Sequence, residues 1–416
     1  MHSHVPPQSL TADLRALPRA FWILFAGTFI NRFGTFVWPF LTIYLTRKGH
    51  SLTAASFAVS AFGVGALCGG LLGGWLADHL GRRNTIVLGT FSAAASFMLL
   101  YAAVSLPAII GCTLLAGFTS GIYHPAIGAL LADIVPSAQR VRAYAAIRGA
   151  ANAGFACGAA TGGVLANYSL FWLFAGDALT TVLYGCIAFL WLPHGLRALG
   201  EKTARWSEAL RHISRDRPFL ALWTSAFLAA LVYAQFASTY SLHVIRTGLH
   251  FDALGFRVGP ETVYGLLVGW NGALVVLAEL PLTVATLRFD PRRVMALGYV
   301  LVGVGFGLNA LTHSIFAMWI VMTIFTAGEM ISAPMTSAQV ARLAPERMRG
   351  RYMGALGLSW NAAGIFGPLI GFLLFAFDPL LVWLFCALLG LAAAFTIWRF
   401  GEAKEAAAPA LEAALK

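Results

Sequence analysis

Gly74-Trp-Leu-Ala-Asp78-His-Leu-Gly81-Arg82-Arg83 lies between two long apolar stretches and places charges where a membrane helix has to end. It reads as the tight turn of a helical hairpin. Gly74 is expected to let two helices approach closely, and Asp78 supplies one negative charge at the membrane edge. Gly81-Arg82-Arg83 makes a turn whose bases keep that edge on the cytoplasmic side.

Composition leads to the same solvent. Hydrophobic residues make up 59% of the 416 and charged residues 11%, and apolar runs repeatedly reach the ~20 residues a helical span requires. Twelve such runs stand at about 21–45, 54–77, 85–105, 108–131, 144–166, 170–192, 219–243, 262–286, 294–312, 315–338, 352–376 and 380–399. The expected fold is an all-α membrane protein of twelve transmembrane helices. With both termini cytoplasmic, inside loops and tails hold 22 of the 28 Lys and Arg, while outside loops hold Arg47, Lys48, Arg246 and Arg257. Arg32 and Arg148 lie within spans. The net charge of +11 is thus spread over short cytoplasmic loops, and no nucleic-acid module accompanies it. Met1 to Pro18 lack a secretory core, so the first span is expected to be retained. Cys68, Cys112, Cys157, Cys186 and Cys386 fall inside apolar runs without paired spacing and read as small buried residues. No metal site or cofactor is implied.

The longest inside connection, Pro193 to Pro218, divides six spans from six. It gives an N-terminal six-helix bundle at 1–195, a cytoplasmic linker at 196–217, and a C-terminal bundle with a cytoplasmic tail at 218–416. Trp206 to Ile213 reads either as plain linker or as a short helix on the lipid surface. A shift of 209 residues lays Pro136 on Pro345, Arg140 on Arg349, Arg142 on Arg351, Asn152 on Asn361, Gly158 on Gly367 and Gly162 on Gly371. This is the relation expected of parallel repeats about an axis along the membrane normal.

The 74–83 loop resembles the loop signature of the major facilitator superfamily, with Thr85 where the family usually carries another base. The two-bundle plan extends the resemblance over most of the chain, which resembles the twelve-helix drug:proton antiporter group of that family. Gly154, Gly158, Gly162 and Gly163 follow that group's glycine spacing in the fifth span, although Ala159 stands where proline is usual. Gly364, Gly367, Pro368 and Gly371 form the eleventh span's version; a generic packing seam is the alternative. Drug exporters of the family commonly carry an arginine four residues before the fourth-span glycine, Gly121 here, and that position is Gly117. The resemblance therefore implies the fold more firmly than the coupling route.

Ionisable groups elsewhere have to handle protons. At ~1.5 Å per residue, Arg32 lies about 17 Å into its span, near the middle of a ~30 Å core, where a charge needs a partner or water. Asn31, Asn152, Asn271 and Asn361 lie at similar depth, as do Trp270 and Trp360, and together they form a prospective polar ring in an aromatic cavity. Tyr233 and Gln235 either line that cavity or pack between helices. Thr326-Ala-Gly-Glu329-Met-Ile-Ser-Ala-Pro334 resembles the glutamate-bearing tenth helix of some multidrug:proton antiporters, and Glu329 lies about 22 Å from the outer edge. Burial disfavours a carboxylate's charge, so Glu329 is read as a group that takes up and releases a proton; a permanent pairing with a base is the alternative. Asp177 either relays protons or caps and pairs. Arg148 is expected to snorkel, Asp133 and Glu279 to pair with loop arginines, and His124 to make one satisfied hydrogen bond.

The sequence thus predicts a monomeric, non-enzymatic, proton-coupled exporter of amphiphilic organic compounds in a bacterial inner membrane, working by alternating access. Glu329 and Asp177 are its proton-coupling candidates. Asn31, Arg32, Asn152, Tyr233, Gln235, Trp270, Asn271, Trp360 and Asn361 are its cavity candidates, and Gly74, Asp78, Gly81, Arg82 and Arg83 its cytoplasmic gate. Its partners are a small-molecule substrate, protons and the lipid bilayer. Alternatives are a proton-coupled uptake symporter for a small metabolite and, from another class, a receptor or scaffold on a transporter fold.

Overall fold

A computed structural model describes residues 17–136, 139–195, 211–253, 256–286, 288–345 and 348–401. Hydrocarbon offers the backbone no hydrogen bonds, so N–H and C=O groups pair within each segment, and the described chain is helical almost throughout. The first half holds α1 (Arg19–Phe33), α2 (Val37–Arg47), α3 (Leu52–His79), α4 (Arg82–Ala102), α5 (Leu106–Ile134), α6 (Arg140–Tyr168) and α7 (Leu170–Trp191). The second holds α8 (Arg217–Ala237), α9 (Thr239–Thr247), α10 (Pro260–Thr286), α11 (Pro291–Gly307), α12 (Ile315–Leu343), α13 (Arg349–Phe377) and α14 (Pro379–Phe400). Between α9 and α10 a short antiparallel hairpin, β1 (Phe251–Ala253) with β2 (Phe256–Val258), pairs Phe251 with Val258. The apolar pattern gave no sign of it.

Eleven helical segments among the described residues, counting α1 and α2 as one, are long and apolar enough to cross a membrane. The twelfth expected span is α6, which has 29 residues and therefore the length, but glycine and alanine dilute its apolar character. Large side chains such as Leu71, Leu277, Phe316 and Phe377 point outward, as a lipid-solvated surface requires. The chain is an integral membrane protein.

The 209-residue offset holds at the level of whole helices. It carries α5 onto α12, α6 onto α13 and α7 onto α14, residue for residue at both ends of each. Their starts follow from local chemistry. Ser105 and Ser314, which are repeat mates, each accept a backbone N–H three residues on, as Asp216 does at α8, while Asp290 and Asp378 cap α11 and α14 by accepting the N–H two residues on. Gly81 turns the chain between α3 and α4 with φ at 91°, a conformation that suits glycine.

Close packing inside the first half comes from α3 against α5. A methyl on Gly65, Gly69 or Gly73 would lie about 2 Å from the carbonyl oxygen of Leu114, Phe118 or Ile122, so only glycine permits that crossing. Gly117 answers from α5 against Phe62, which gives the departure at that position a packing role. Gly74 does not share it: a methyl there would meet nothing within 4 Å, and Gly73, one residue away, makes the approach assigned to Gly74. The α6 glycines 154 and 158 pack on the backbone of α1 at Phe29 and Phe33. Among the cysteines Cys386 is buried, whereas Cys68 and Cys157 are exposed rather than buried; all five are free.

Candidate functional site

The first span is interrupted in the membrane. α1 ends at Phe33 and α2 starts at Val37, leaving backbone donors at the break without helical partners. Asp177 of α7 supplies the acceptor: its Oδ2 takes the N–H of Phe36 at 3.2 Å and of Val37 at 3.0 Å. Its other oxygen accepts the Thr181 hydroxyl at 3.4 Å, Thr181 in turn accepts from the Asn31 amide at 3.3 Å, and Tyr123 donates to Asn31. Asp177 is therefore a cap within the first bundle, and Asn31 is tied into the same network.

One turn earlier the geometry differs. Arg32 lines a cavity of about 790 Å³ at the basic-loop end, together with Asn31, His124, Tyr144, Arg148 and Ser337. No ion pair or hydrogen bond joins the Arg32 side chain to another group among the described residues, and no carboxylate there lines this cavity.

Glu329 stands at the middle of α12 and faces a separate cavity of about 370 Å³. Its Oε2 accepts from Asn271 Nδ2 of α10 at 2.8 Å, and the same amide donates to Thr326 Oγ1 at 2.9 Å. Asn152, Tyr233 and Trp360 complete the polar and aromatic lining, with Trp38, Phe155 and Phe325 as apolar wall. Five expected residues, Asn152, Tyr233, Asn271, Glu329 and Trp360, thus meet at one place where both halves contribute. The other expected members are elsewhere. Gln235 is fully buried, its amide donating to Gly367 O at 2.9 Å and its oxygen accepting from Thr239, so it bolts α8 to α13. Trp270 donates to Thr323 and packs edge-on against Trp319, and Asn361 does not line this cavity.

A third cavity of about 250 Å³ links the two, sharing Arg148 and Ser337 with the first and Tyr233 and Trp360 with the second. Beside it Arg148 of α6 pairs with Glu279 of α10, so Arg148 does not simply snorkel and Glu279 is not held by a loop arginine. At the opposite end the halves close on each other. Gly163 and Gly265 bring α6 and α10 into backbone contact, Thr262 donates to Gly163 O, Ser60 donates to Ile365 O, and Arg47 pairs with Glu261. These cross-bundle contacts have no local signature; the small residues at 265, 269 and 272 of α10 were the available sign.

The loop residues of the opening motif form a network inside the first bundle. Arg82 is buried and reaches Asp78, Ala77 O at 2.7 Å and Asp133 at 3.5 Å. Asp78 thus takes the local pairing in this state, and Arg83 contacts His194.

The sequence profile of the Major Facilitator Superfamily matches residues 24–260 and 252–415. The Na(+), Li(+), K(+)/H(+) antiporter of Planococcus maritimus is 26% identical, covering 82% of this chain and 86% of its own. Multidrug resistance protein MdtH of Escherichia coli (strain SE11) is also 26% identical, covering 81% of this chain and 83% of its own. Among solved structures the nucleoside transporter NupG superposes with a TM-score of 0.77 at 16% identity, over 92% of this chain and 100% of that one, a likeness of fold.

Proposed function

The chain belongs to the major facilitator superfamily, and from that premise, which makes it a transporter of small molecules and not an enzyme, we propose that it is a proton-coupled exporter of amphiphilic organic compounds. The observation that carries this reading is Glu329, a carboxyl at mid-helix in a cavity built by both halves, held by a neutral amide and not by a base. A carboxyl so placed changes charge without breaking an ion pair, and the two charge states favour different degrees of water access.

Residues 1–195 and 218–416 act as the two rocking bodies and 196–217 as their linker, most of which lies outside the described residues. By the distribution of basic loops the open cavity faces the cytoplasm, both termini lie on that side, and the shut end faces out. The inner membrane of a bacterium is the location this implies, and a monomer suffices because both halves of the path lie in one chain. Asp78 joins the gate on the return stroke, when the basic-loop ends approach and the N-terminus of α13 offers its dipole. The relatives with antiporter and multidrug-resistance names support this class. The test is flux in proteoliposomes under an imposed pH gradient. Glu329→Gln should abolish gradient-driven transport while leaving equilibrium binding in place; wild-type coupled flux in that variant refutes the role.

Exchange of a monovalent cation is a second reading, favoured by the oxygens of Glu329, Asn271 and Thr326 gathered at one point and by the antiporter relative. Sodium, lithium and potassium gradients in the same vesicles separate it, since they drive proton movement only under that reading.

A further inference from the structure

Among the described residues, every carboxylate near the centre of this protein is committed. Asp177 accepts the backbone donors of Phe36 and Val37, Glu279 pairs with Arg148, and Glu329 accepts from Asn271. Arg32 alone of the mid-membrane charges has no such partner among the described residues, yet it faces the largest of the three cavities described above, about 790 Å³. A guanidinium at that depth is costly unless something of opposite charge or water meets it, and its planar fork fits a carboxylate, sulfonate or phosphonate in a bidentate manner. Of the other bases on this cavity, Arg148 has its charge balanced by Glu279.

We propose that the transported compounds are organic anions, whose acidic group docks on Arg32 while an aromatic or apolar body extends through the linking cavity toward Tyr233 and Trp360. This rests on the reading of the central cavities as the substrate path. The charge layout argues against cations at this end, since a cation entering here meets Arg32 before it reaches Glu329. Binding of an anion on Arg32 and protonation of Glu329 occur in different cavities and on different bundles, so each is open to separate measurement.

The probes are 8-anilinonaphthalene-1-sulfonate and its uncharged parent skeleton, N-phenyl-1-naphthylamine, with ethidium as the cation. Saturable binding to the full chain in nanodiscs, corrected with empty nanodiscs, should favour the sulfonate over the neutral compound by at least about tenfold, the value of one charge-assisted contact. Arg32→Gln should reduce that preference to near unity with neutral-probe affinity unchanged, and Arg32→Lys should restore part of it. Equal or tighter binding of the neutral or cationic probe to the wild type overturns the proposal without any variant, as does a preference that survives Arg32→Gln in a folded protein. Glu329→Gln should keep the anion preference. Loss of gradient-driven flux alone therefore tests coupling, and loss of the preference alone tests the Arg32 site.

Discussion

Adding one methyl group at Gly265 should turn the protein outward. At that position a Cβ would lie 2.5 Å from Ala159 O and 2.7 Å from Gly163 Cα, where ordinary contact begins at 3.4 Å, so α6 and α10 have to part by about 1 Å. Overpacking of this kind costs about 1–3 kcal/mol. The helix-propensity gain of alanine over glycine applies to every conformation and leaves their ratio unchanged. The clash, in contrast, exists only while the outer end is shut. A penalty of about 1–2 kcal/mol changes a two-state ratio by about 5- to 30-fold, enough to make a balanced population largely outward-open. The assay is the distance between spin labels at Val104→Cys and His313→Cys, two exposed repeat mates on the outer loops of opposite halves, with the native cysteines replaced. Gly265→Ala should lengthen that distance in bilayers. Gly111→Ala, where a methyl meets nothing within 4 Å, should not. An unchanged distribution for Gly265→Ala, in a protein with normal helicity, would refute the packing argument for closure.

Arg47→Gln should open the same end less than Gly265→Ala does, because Arg47 is 42% exposed and such a pair is worth about 0.2–1 kcal/mol; an effect of equal size, or one indifferent to high salt, would contradict this. Asp177→Ala removes the acceptor for two backbone donors and should lower stability by about 1–2 kcal/mol, whereas Asp177→Asn, which keeps a carbonyl oxygen, should lose less. Thermal melting in detergent checks both, and equal losses would deny the cap. The same measurement should show Arg82→Gln more damaging than Asp78→Asn, since Arg82 is buried against three partners while the Asp78 side chain is 51% exposed.

Apolar run length and the position of bases were enough to foresee the helices, because lipid leaves the backbone few alternatives. The offset of 209 was equally visible in the loops and helices that follow the fourth and tenth spans, whereas the helix ends that it brings into register came only from the structure. Individual contacts were less legible. Glycine spacing announced a close crossing on α3 but not which glycine makes it, and the choice fell on Gly74 when the backbone phase selects Gly73. Depth along a helix located Glu329, Asn271 and Trp360 near the middle, yet depth carries no azimuth. Trp270 shares that depth and points into the seam between α10 and α12 instead, and Gln235 turns into the one between α8 and α13. The cavity on Arg32 and the one on Glu329 were read as a single ring for the same reason. For Asp177, capping could not be chosen over proton relay before the break between α1 and α2 was seen, since nothing in Gly34-Thr35-Phe36 specifies a partner 140 residues away.

That break has a consequence for how the chain is built in a cell. The spans leave the ribosome in order, and the amides of Val37 and of Phe36, which also bonds Gly34 O, emerge long before α7, which holds their shared side-chain acceptor. Until then the first span has to rest where water or the insertion machinery serves those amides, or stay as an unbroken helix that bends once Asp177 arrives. At the kink between α8 and α9 the second half stays local: the Ser238 N–H bonds Gln235 O within the same span, and the Gln235 side chain accepts the hydroxyls of Ser238 and Thr239. Nascent chains halted before residue 170 should therefore hold the first span more loosely than chains halted after residue 191, while no comparable step should mark the seventh.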